Sequence, residues 1–363
     1  MRLFLCGDVM TGRGIDRILS HPGDPVLHES YVKSAETYVE LAEGVSGTIP
    51  RRAAPDYIWG DALDEIAARK PDARIVNLET AVTSRGTPDP KGINYRMHPG
   101  NIACLTAAGI DCCVLANNHL GDWGLQGALD TFDALEAAGI AIAGAGRDAG
   151  LAAQPAILET PAGRLLVFGV GTPSSGIPAN WAARPDRAGI NFIPGFDDDS
   201  FRRIADAIHA WRRNGDTVVV SIHWGSNWGY DVPVAHRRFA RRLTEEAGAD
   251  IVHGHSAHHP LGFELHAGRP ALYGCGDFIN DYEGISGHAE FRAELTLAWM
   301  LDYDTTARRL RDLEMIPFRL RKFRLERVRG GDARWLADTI DRECRRLGPR
   351  VELTRGDTLA LAG

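Results

Sequence analysis

The sequence lacks the features of membrane-spanning, nucleic-acid-binding and disulfide-rich proteins. Among its 363 residues, no apolar run approaches the roughly 18 that a membrane-spanning helix needs. The net charge of −7 leaves no basic excess for binding nucleic acid. The six cysteines include no C-x-x-C pair, which argues against a disulfide framework and against a zinc–thiolate site. We therefore expect buried free thiols, and neither a nucleic acid nor a membrane as a partner.

We expect no secretory signal at the beginning of the chain. Its apolar run, Leu3–Cys6, is followed at once by Gly7 and Asp8, and it is too short for the apolar core of a signal peptide. Free thiols and the missing signal together predict a cytoplasmic protein.

The composition is that of a globular α/β protein. Hydrophobic residues make up 44% and charged residues 25% of the chain, which is enough for a large core. Short apolar runs alternate with amphipathic stretches in the first half, as in strands joined by helices, and strands dominate the second half. The predicted strands are 3–6, 74–78, 110–115, 217–222, 250–253, 262–266, 271–274 and 294–301, and the predicted helices are 58–69, 125–138, 199–212, 234–247 and 332–346.

Polar side chains stand where several predicted strands end. Asp8 follows the first strand, Glu79 the second, and Asn118 and His119 the third. In open α/β sheets, sites form at the carboxyl ends of the strands, so we expect these side chains at one edge. Taken singly, Asp8 also fits a helix N-cap and Glu79 a surface acid.

Histidines give the strongest signal in the second half. His223 ends a predicted strand, although a lone histidine there is more often structural. Four histidines then fall within 253–259, and Asp277 follows the next strand. Imidazole is the commonest metal ligand and also moves protons near neutral pH. Mixed oxygen and imidazole donors predict a site for Mn, Fe, Zn, Mg or Ca, or an acid–base centre.

Taken together, these segments resemble one protein family. The motifs that carry the resemblance are Gly7-Asp8, Asn77-Leu78-Glu79, Ala116-Asn117-Asn118-His119 with Asp122 and Gly124, His223-Trp224-Gly225, Gly254-His255-x-x-His258 and Gly276-Asp277-Phe278. They are similar to those of the CapA-like (poly-γ-glutamate capsule synthesis) proteins of the calcineurin-like metallophosphoesterase superfamily. The resemblance implies an α/β (α+β) fold, a four-layer αββα sandwich with its site at the C-terminal edge of the strands.

The resemblance also implies a division of the chain. Residues 1–317 would form the CapA-like catalytic domain, and residues 318–363 a C-terminal extension packed on the same domain. An insertion or lid is expected at about 20–57, where periodicity is weak and Pro and Gly are scattered.

By position, the family's motifs imply a set of metal ligands and one catalytic acid. The implied ligands are Asp8, Glu79, Asn118, His223, His255 and His258. His119 falls where phosphoesterases keep a catalytic acid. Met10 and Glu79 stand where those enzymes have a histidine and a bridging aspartate, and the last motif is His-x-x-His. One or two divalent ions are therefore expected, with a single hard ion such as Ca or Mg favoured, and no organic cofactor.

The expected reaction follows from a narrower similarity. The chain starts directly at its first core strand, unlike the membrane-anchored capsule proteins, and is similar to the lasso-peptide epimerases. These enzymes invert the C-terminal residue of a precursor peptide, which would be the substrate here. Epimerisation needs a base on one face of Cα and an acid on the other. His119 and either His255 or His258 would serve, oriented by Asp122 and Asp277.

Aromatic residues near the motifs complete the predicted site. Trp123, Trp224, Trp228 and Tyr230 would line a substrate pocket, or else pack in the core. Two other functions stay open: a metallophosphoesterase or related hydrolase, and a non-enzymatic protein of a polymer-synthesis pathway. The sequence leaves the oligomeric state undetermined.

Overall fold

The secondary structure is arranged in four layers, with helices on both sides of two sheets. The structure is a computed structural model and describes residues 1–362. Within that range the strands are β1 (Arg2–Val9), β2 (Ala73–Leu78), β3 (Ala81–Val82), β4 (Arg96–Met97), β5 (Cys112–Val114), β6 (Ala141–Ala143), β7 (Ala145–Gly146), β8 (Ala156–Thr160), β9 (Gly163–Gly171), β10 (Gly189–Ile190), β11 (Thr217–His223), β12 (Ile251–His255), β13 (Phe263–His266), β14 (Arg269–Leu272), β15 (Asp277–Ile279), β16 (Leu295–Asp304), β17 (Arg309–Arg321), β18 (Arg324–Arg327), β19 (Val351–Leu353) and β20 (Leu359–Leu361). Over the same residues the α-helices are α1 (Arg13–Ile18), α2 (Glu36–Ser46), α3 (Ala62–Arg69), α4 (Ala103–Ala107), α5 (Gly124–Ala137), α6 (Ala149–Ala153), α7 (Asp198–Trp211), α8 (Val234–Glu245) and α9 (Gly331–Arg345).

Two sheets form the middle layers. The larger has ten strands in the order β19-β20-β17-β16-β1-β2-β5-β6, with β15 beside β1 and β18 beside β17. The smaller has six strands in the order β13-β14-β12-β11-β9-β8. The run β1-β2-β5 is parallel, and so is the pair β11-β12. The carboxyl ends of these strands therefore come together at one end of the sandwich.

The alternation of side chains along the strands builds the core between the sheets. Leu3 and Leu5 of β1 lie in that core with Val167 of β9 and Val219 of β11. Phe4, between the two leucines, belongs to a second core on the other face of the larger sheet. Successive strand residues point to opposite faces, so a sheet covered on both faces is apolar at nearly every position.

Helices cover the outer face of each sheet. On the smaller sheet, Ile204 of α7 and Phe239 of α8 pack with Val218 and Val220 of β11. On the larger sheet, α5 contributes Phe132 to the outer core. The order is thus helix, sheet, sheet, helix, which confirms the predicted αββα sandwich.

The C-terminal segment continues the larger sheet. Strand β17 runs across the division at 317/318, and β18, β19 and β20 extend the same sheet beside it. Helix α9 buries Leu336 and Ile340 in the core between the sheets. At the other end of the chain, the insertion at 20–57 carries α2, whose Val39 packs in the outer core with Ile15 of α1.

One predicted helix is interrupted. The predicted helix 58–69 is divided into a short 3-10 turn, Tyr57–Trp59, and the helix α3. The helical backbone is broken between them because Gly60 has a φ of +46°. A Cβ at Gly60 would also lie 2.1 Å from the carbonyl oxygen of Leu325, so only glycine fits there. The other predicted strands and helices are present, with their ends shifted by a few residues.

Two predictions from composition can be compared with the structure. All six cysteines are buried and unpaired, which confirms the free thiols. No helix in residues 1–362 combines the length and the apolar character that crossing a bilayer requires.

Candidate metal centre

Carboxylates and imidazoles from several strand ends meet at one end of the sandwich. Asp8 lies in β1, Glu79 directly follows β2, and His223 and His255 are the last residues of β11 and β12. Asp277 begins β15, which pairs with β1 so that Asp8 and Asp277 are in register. All five side chains are buried. The parallel strands thus bring together side chains that are far apart in the sequence.

Two donor groups share Asp8. A carboxylate oxygen of Asp8 and one ring nitrogen each of His223 and His255 lie within 4.8 Å of one another, and we name these residues the first donor group. Asp8, His258 and Asp277 satisfy the same distance and form the second donor group. The Asp8 carboxylate therefore stands between two sets of ligand atoms.

Neutral amides hold the carboxylates in place. Asn77 Nδ2 donates to Asp8 Oδ1 at 2.7 Å and to Glu79 Oε2 at 3.2 Å. Asn117 Nδ2 donates to Asn77 Oδ1 at 3.0 Å, and Asn117 Oδ1 accepts from the backbone N–H of His119 at 3.1 Å. These amides orient the carboxylates but leave their negative charge unbalanced.

The electrostatics show how strongly this charge is concentrated. Burial and the neighbouring Asp277 carboxylate raise the pKa of Asp8 to about 7. Burial and the charge of Asp8 raise the pKa of Glu79 well above its ordinary range. At His258 burial opposes protonation, but the charge and hydrogen bond of the Asp277 carboxylate, 2.8 Å from Nδ1, together with the charge of Asp8 outweigh burial and raise the pKa. Within residues 1–362, no lysine or arginine forms an ion pair with Asp8, Glu79 or Asp277.

The donor set fits a divalent cation. The first donor group offers one carboxylate and two imidazoles, and the second offers two carboxylates and one imidazole. Such oxygen and nitrogen donors suit Mn, Fe or Zn, and the oxygen-richer set also suits Mg or Ca. Nδ1 of His223 and Nδ1 of His255 face each other at 2.7 Å, so two ring nitrogens converge on one point. A cation held there would balance the charge of the buried carboxylates.

A histidine–aspartate pair lies beside the donor groups. His119 Nδ1 is 2.6 Å from Asp122 Oδ2, so Nδ1 donates, and Nε2 lies 3.7 Å from Glu79 Oε1. Lys91 Nζ lies 2.6 Å from Asp122 Oδ1 and also donates to the carbonyl of Asn118. Burial lowers the pKa of His119 to about 4. Its ring is therefore neutral near pH 7, and Nε2 is free to accept a proton.

The six residues predicted as ligands lie together, but not all of them belong to a donor group. Asn118 Oδ1 is 2.7 Å from His223 Nε2, and Glu79 Oε1 is 3.8 Å from the same nitrogen. Asn118 and Glu79 thus border the first donor group. Asp277, predicted to orient a catalytic histidine, is itself a member of the second donor group.

Two of the predicted aromatic residues lie next to the histidine cluster. The ring of Trp228 is 5.3 Å from the ring of His258, and the ring of Tyr230 is 4.6 Å from that of His259. Both aromatic side chains are half-buried. Trp228 therefore borders the second donor group through His258, Tyr230 lies beside the neighbouring His259, and both rings keep part of their surface exposed to solvent.

The other two aromatic residues pack away from the donor groups. Trp224 is buried, and its Nε1–H donates to the carbonyl of Tyr273 at 2.9 Å. Since side chains alternate along an extended chain, Trp224 points away from the face that carries His223. Trp123 is also buried and stacks under Arg96, whose guanidinium carbon is 3.7 Å from the ring centroid. Core packing, the alternative considered above, describes both tryptophans.

Several residues around the centre had no individual role assigned from the sequence, although some of them stand in the motifs and the histidine cluster described above. They are Asn77, Lys91, Asn117, Ser221 and His253. For Ser221 and His253 a signal existed: each stands two residues before His223 or His255, and this spacing places all four on one face of their strands. Lys91 lies in a loop between strands, where no periodic pattern marks it.

Comparison with known proteins places the chain in a family. The family model described as bacterial capsule synthesis protein PGA_cap matches residues 2–282, so the chain belongs to this CapA-like family. A probable polyglutamine synthesis accessory protein of Mycobacterium tuberculosis is 46% identical over 364 residues, which cover 98% of this chain and 94% of the relative. The PGA biosynthesis protein CapA of Bacillus subtilis is 26% identical over 275 residues, which cover 76% of this chain and 62% of the relative. The capsule biosynthesis protein CapA of Bacillus anthracis is 22% identical over 281 residues, 77% of this chain and 60% of the relative.

Proposed function

We propose that this protein is a metal-dependent enzyme whose two donor groups hold one or two divalent cations. The observation that carries the proposal is that Asp8 is common to both groups. In two-metal hydrolytic sites the ions lie about 3.5–4 Å apart, a separation that one carboxylate spans. The second donor group is the richer in oxygen and suits a hard ion such as Ca or Mg. The proposal includes no organic cofactor.

The proposed substrate is a glutamate-containing polymer or peptide. This choice of substrate is supported by the names of two relatives, a probable polyglutamine synthesis accessory protein and a PGA biosynthesis protein. A polymer of this kind offers carboxylate and amide oxygens, which a divalent cation at the centre would attract. A cytoplasmic location stays a prediction.

Hydrolysis of a phosphoester or amide bond is the reaction that a shared carboxylate suits best. A bound cation would supply Lewis acidity, which polarises the bond to be cleaved and lowers the pKa of nearby water. Asp122 holds Nδ1 of His119, so Nε2 can take a proton from attacking water and return it to the leaving group. Lys91, paired with Asp122 at 2.6 Å, keeps that carboxylate in position.

Epimerisation at Cα of the C-terminal residue of a peptide, such as a lasso-type precursor, is the second candidate. A specific feature favours it: two histidine–carboxylate pairs, His119–Asp122 at 2.6 Å and His258–Asp277 at 2.8 Å, border the same buried carboxylates. One pair would remove the Cα proton and the other would return a proton to the opposite face. In this reaction His258 moves a proton instead of binding a cation.

Turnover by the purified protein tests both reactions. Phosphomonoesters, phosphodiesters and poly-γ-glutamate oligomers are supplied with Mn²⁺, Mg²⁺ or Ca²⁺, and again after chelation. Deuterium uptake from heavy water into a peptide Cα is followed in parallel. His119→Ala removes the acid–base group, whereas His236→Ala removes a buried histidine of the outer layer and is the matched control.

The results separate the candidates. Metal-dependent hydrolysis that falls by about 10²–10⁴-fold in His119→Ala alone supports the hydrolase. Deuterium uptake that is lost in both His119→Ala and His258→Ala supports the epimerase. Cation binding without either reaction would overturn the enzyme proposal and leave a non-enzymatic role in polymer synthesis.

A further inference from the structure

Two polar residues lie directly behind the first donor group. Strands β11 and β12 are parallel, and their register places Ser221 beside His253 and His223 beside His255. All four side chains are fully buried, and all four are on the face that points to the other sheet. Neither Ser221 nor His253 belongs to a donor group, so a different role must account for burying them there.

The role becomes clear from the direction of the hydrogen bonds, starting at β1. His253 Nε2 lies 2.8 Å from the carbonyl oxygen of Cys6. A carbonyl can only accept, so Nε2 carries the proton. His253 is buried and has no carboxylate partner among the described residues, and such a ring is neutral. Its Nδ1 must therefore be a hydrogen-bond acceptor.

Ser221 connects His253 to His255 and thereby determines which ring nitrogen of His255 carries the proton. Ser221 Oγ lies 3.0 Å from His253 Nδ1 and 2.8 Å from His255 Nε2. The hydroxyl has one proton, which goes to the acceptor on His253, so Oγ must accept from the Nε2–H of His255. His255 consequently keeps a lone pair on Nδ1, the nitrogen that faces His223 at 2.7 Å.

We propose that Ser221 and His253 are positioning residues that hold His255 in its Nε2–H tautomer and so direct its Nδ1 lone pair at the cation. The proposal rests on the proposed metal site, but the tautomer does not depend on it. Outer hydrogen-bond partners fix the tautomer and orientation of ligating histidines in this way. Cys6 stands two residues before Asp8 on β1, so the same hydrogen bonds also set the spacing between the Asp8 strand and His255.

The tautomer is read by nitrogen NMR of the metal-free protein with ¹⁵N-labelled histidine, assigned with His255→Gln. We expect the Nε2–H form of His255 in the wild type and in Ser221→Thr, which keeps a hydroxyl. In Ser221→Ala we expect a mixture of both tautomers, because the acceptor is gone. An Nδ1–H form in the wild type, or an unchanged tautomer in Ser221→Ala, would overturn the proposal.

The consequence for binding is measured by titrating the chelated protein with Mn²⁺. Ser221→Ala should bind about 10–100-fold more weakly, and Ser221→Thr should keep the wild-type affinity. Ser200→Ala, which removes a buried hydroxyl without a partner from α7, is the control and should bind as the wild type does. Equal affinity in Ser221→Ala and wild type would overturn the positioning role. If the wild type binds no Mn²⁺, the proposed function fails, and the NMR result still decides the tautomer.

Discussion

Two clusters of buried acidic side chains lie near the same strand ends, and they differ in how their charge is balanced. In one, the Arg13 guanidinium stands between Glu29 at 3.0 Å and Asp281 at 2.5 Å. In the other, Asp8 and Glu79 lie together, and neither pairs with an arginine or lysine of the described residues. The first cluster has its own cation, whereas the second does not.

The difference has a consequence for the stability of the fold. An acidic pair completed inside the chain supports the fold: Arg13 also lies 3.9 Å above the ring of Tyr38, and it ties Glu29 of the insertion to Asp281 after β15. Carboxylates left without a cation weaken the fold by mutual repulsion. Such carboxylates are suited to receive a cation from outside.

The largest expected effect is loss of the internal cation. Arg13→Met leaves the buried carboxylates of Glu29 and Asp281 without a positively charged partner, so we expect the free energy of unfolding to fall by about 3–5 kcal/mol. Urea unfolding measures it. Adding Glu29→Gln and Asp281→Asn to Arg13→Met should recover part of the loss. No recovery would contradict the assignment of the loss to unpaired charge.

Removal of a carboxylate from the other cluster should act in the opposite direction on stability. Asp8→Asn should weaken Mn²⁺ binding by roughly 1000-fold, about 4 kcal/mol, because both donor groups lose a direct ligand. Burial raises the pKa of Asp8 from 3.8 to about 7, so Asp8 makes the metal-free wild type less stable as pH rises through 7. Asp8→Asn should therefore be at least as stable as the wild type at pH 8 in chelator. If Asp8→Asn is less stable than the wild type under these conditions, other groups of the metal-free protein must already balance the charge of Asp8.

A third region sharpens the comparison, because it contains a buried ionisable group with no partner of opposite charge. Burial lowers the pKa of His236 from 6.5 to about 4. Its contribution to stability is complete above pH 6.5 and is lost as pH falls toward 4, since only the unfolded chain binds the proton readily. Between pH 7 and pH 4 the wild type should lose about 3 kcal/mol more unfolding free energy than His236→Phe. If the two proteins lose the same unfolding free energy between pH 7 and pH 4, protonation of His236 is not the cause of the loss.

The smallest effect is expected where solvent screens the charges. Arg147 lies 2.8 Å from Asp133 and from Glu136, but all three side chains are substantially exposed. Arg147→Gln should change the free energy of unfolding by less than about 1 kcal/mol. Measured beside Arg13→Met, it is the matched exposed control. If Arg147→Gln lowers the free energy of unfolding as much as Arg13→Met does, burial cannot explain why the two ion-pair clusters differ.

The sequence was a better guide to the strand ends than to the surroundings of the site. Asp8, Glu79 and His223 could be found because each follows an apolar run, and both features lie within a few neighbouring residues. The buried position of Trp224 was harder to foresee, since it depends on which face of the sheet the chain presents as the strand ends. Lys91 could not be found at all, because only the folded loop brings it to Asp122.

By itself, the sequence determined the strands and helices and the polar residues at the carboxyl ends of the strands, which follow from periodicity and from neighbouring residues along the chain. The four-layer class was implied by the resemblance of the motifs to the CapA-like family. Only the tertiary structure decided that Asp8 is shared by two donor groups and that Ser221 and His253 stand behind His255. The first donor group joins strands of two different sheets, so its distances depend on how the sheets pack against each other. Ser221, His253 and His255 lie on neighbouring strands of the smaller sheet, so their contacts depend on the pairing register of β11 and β12.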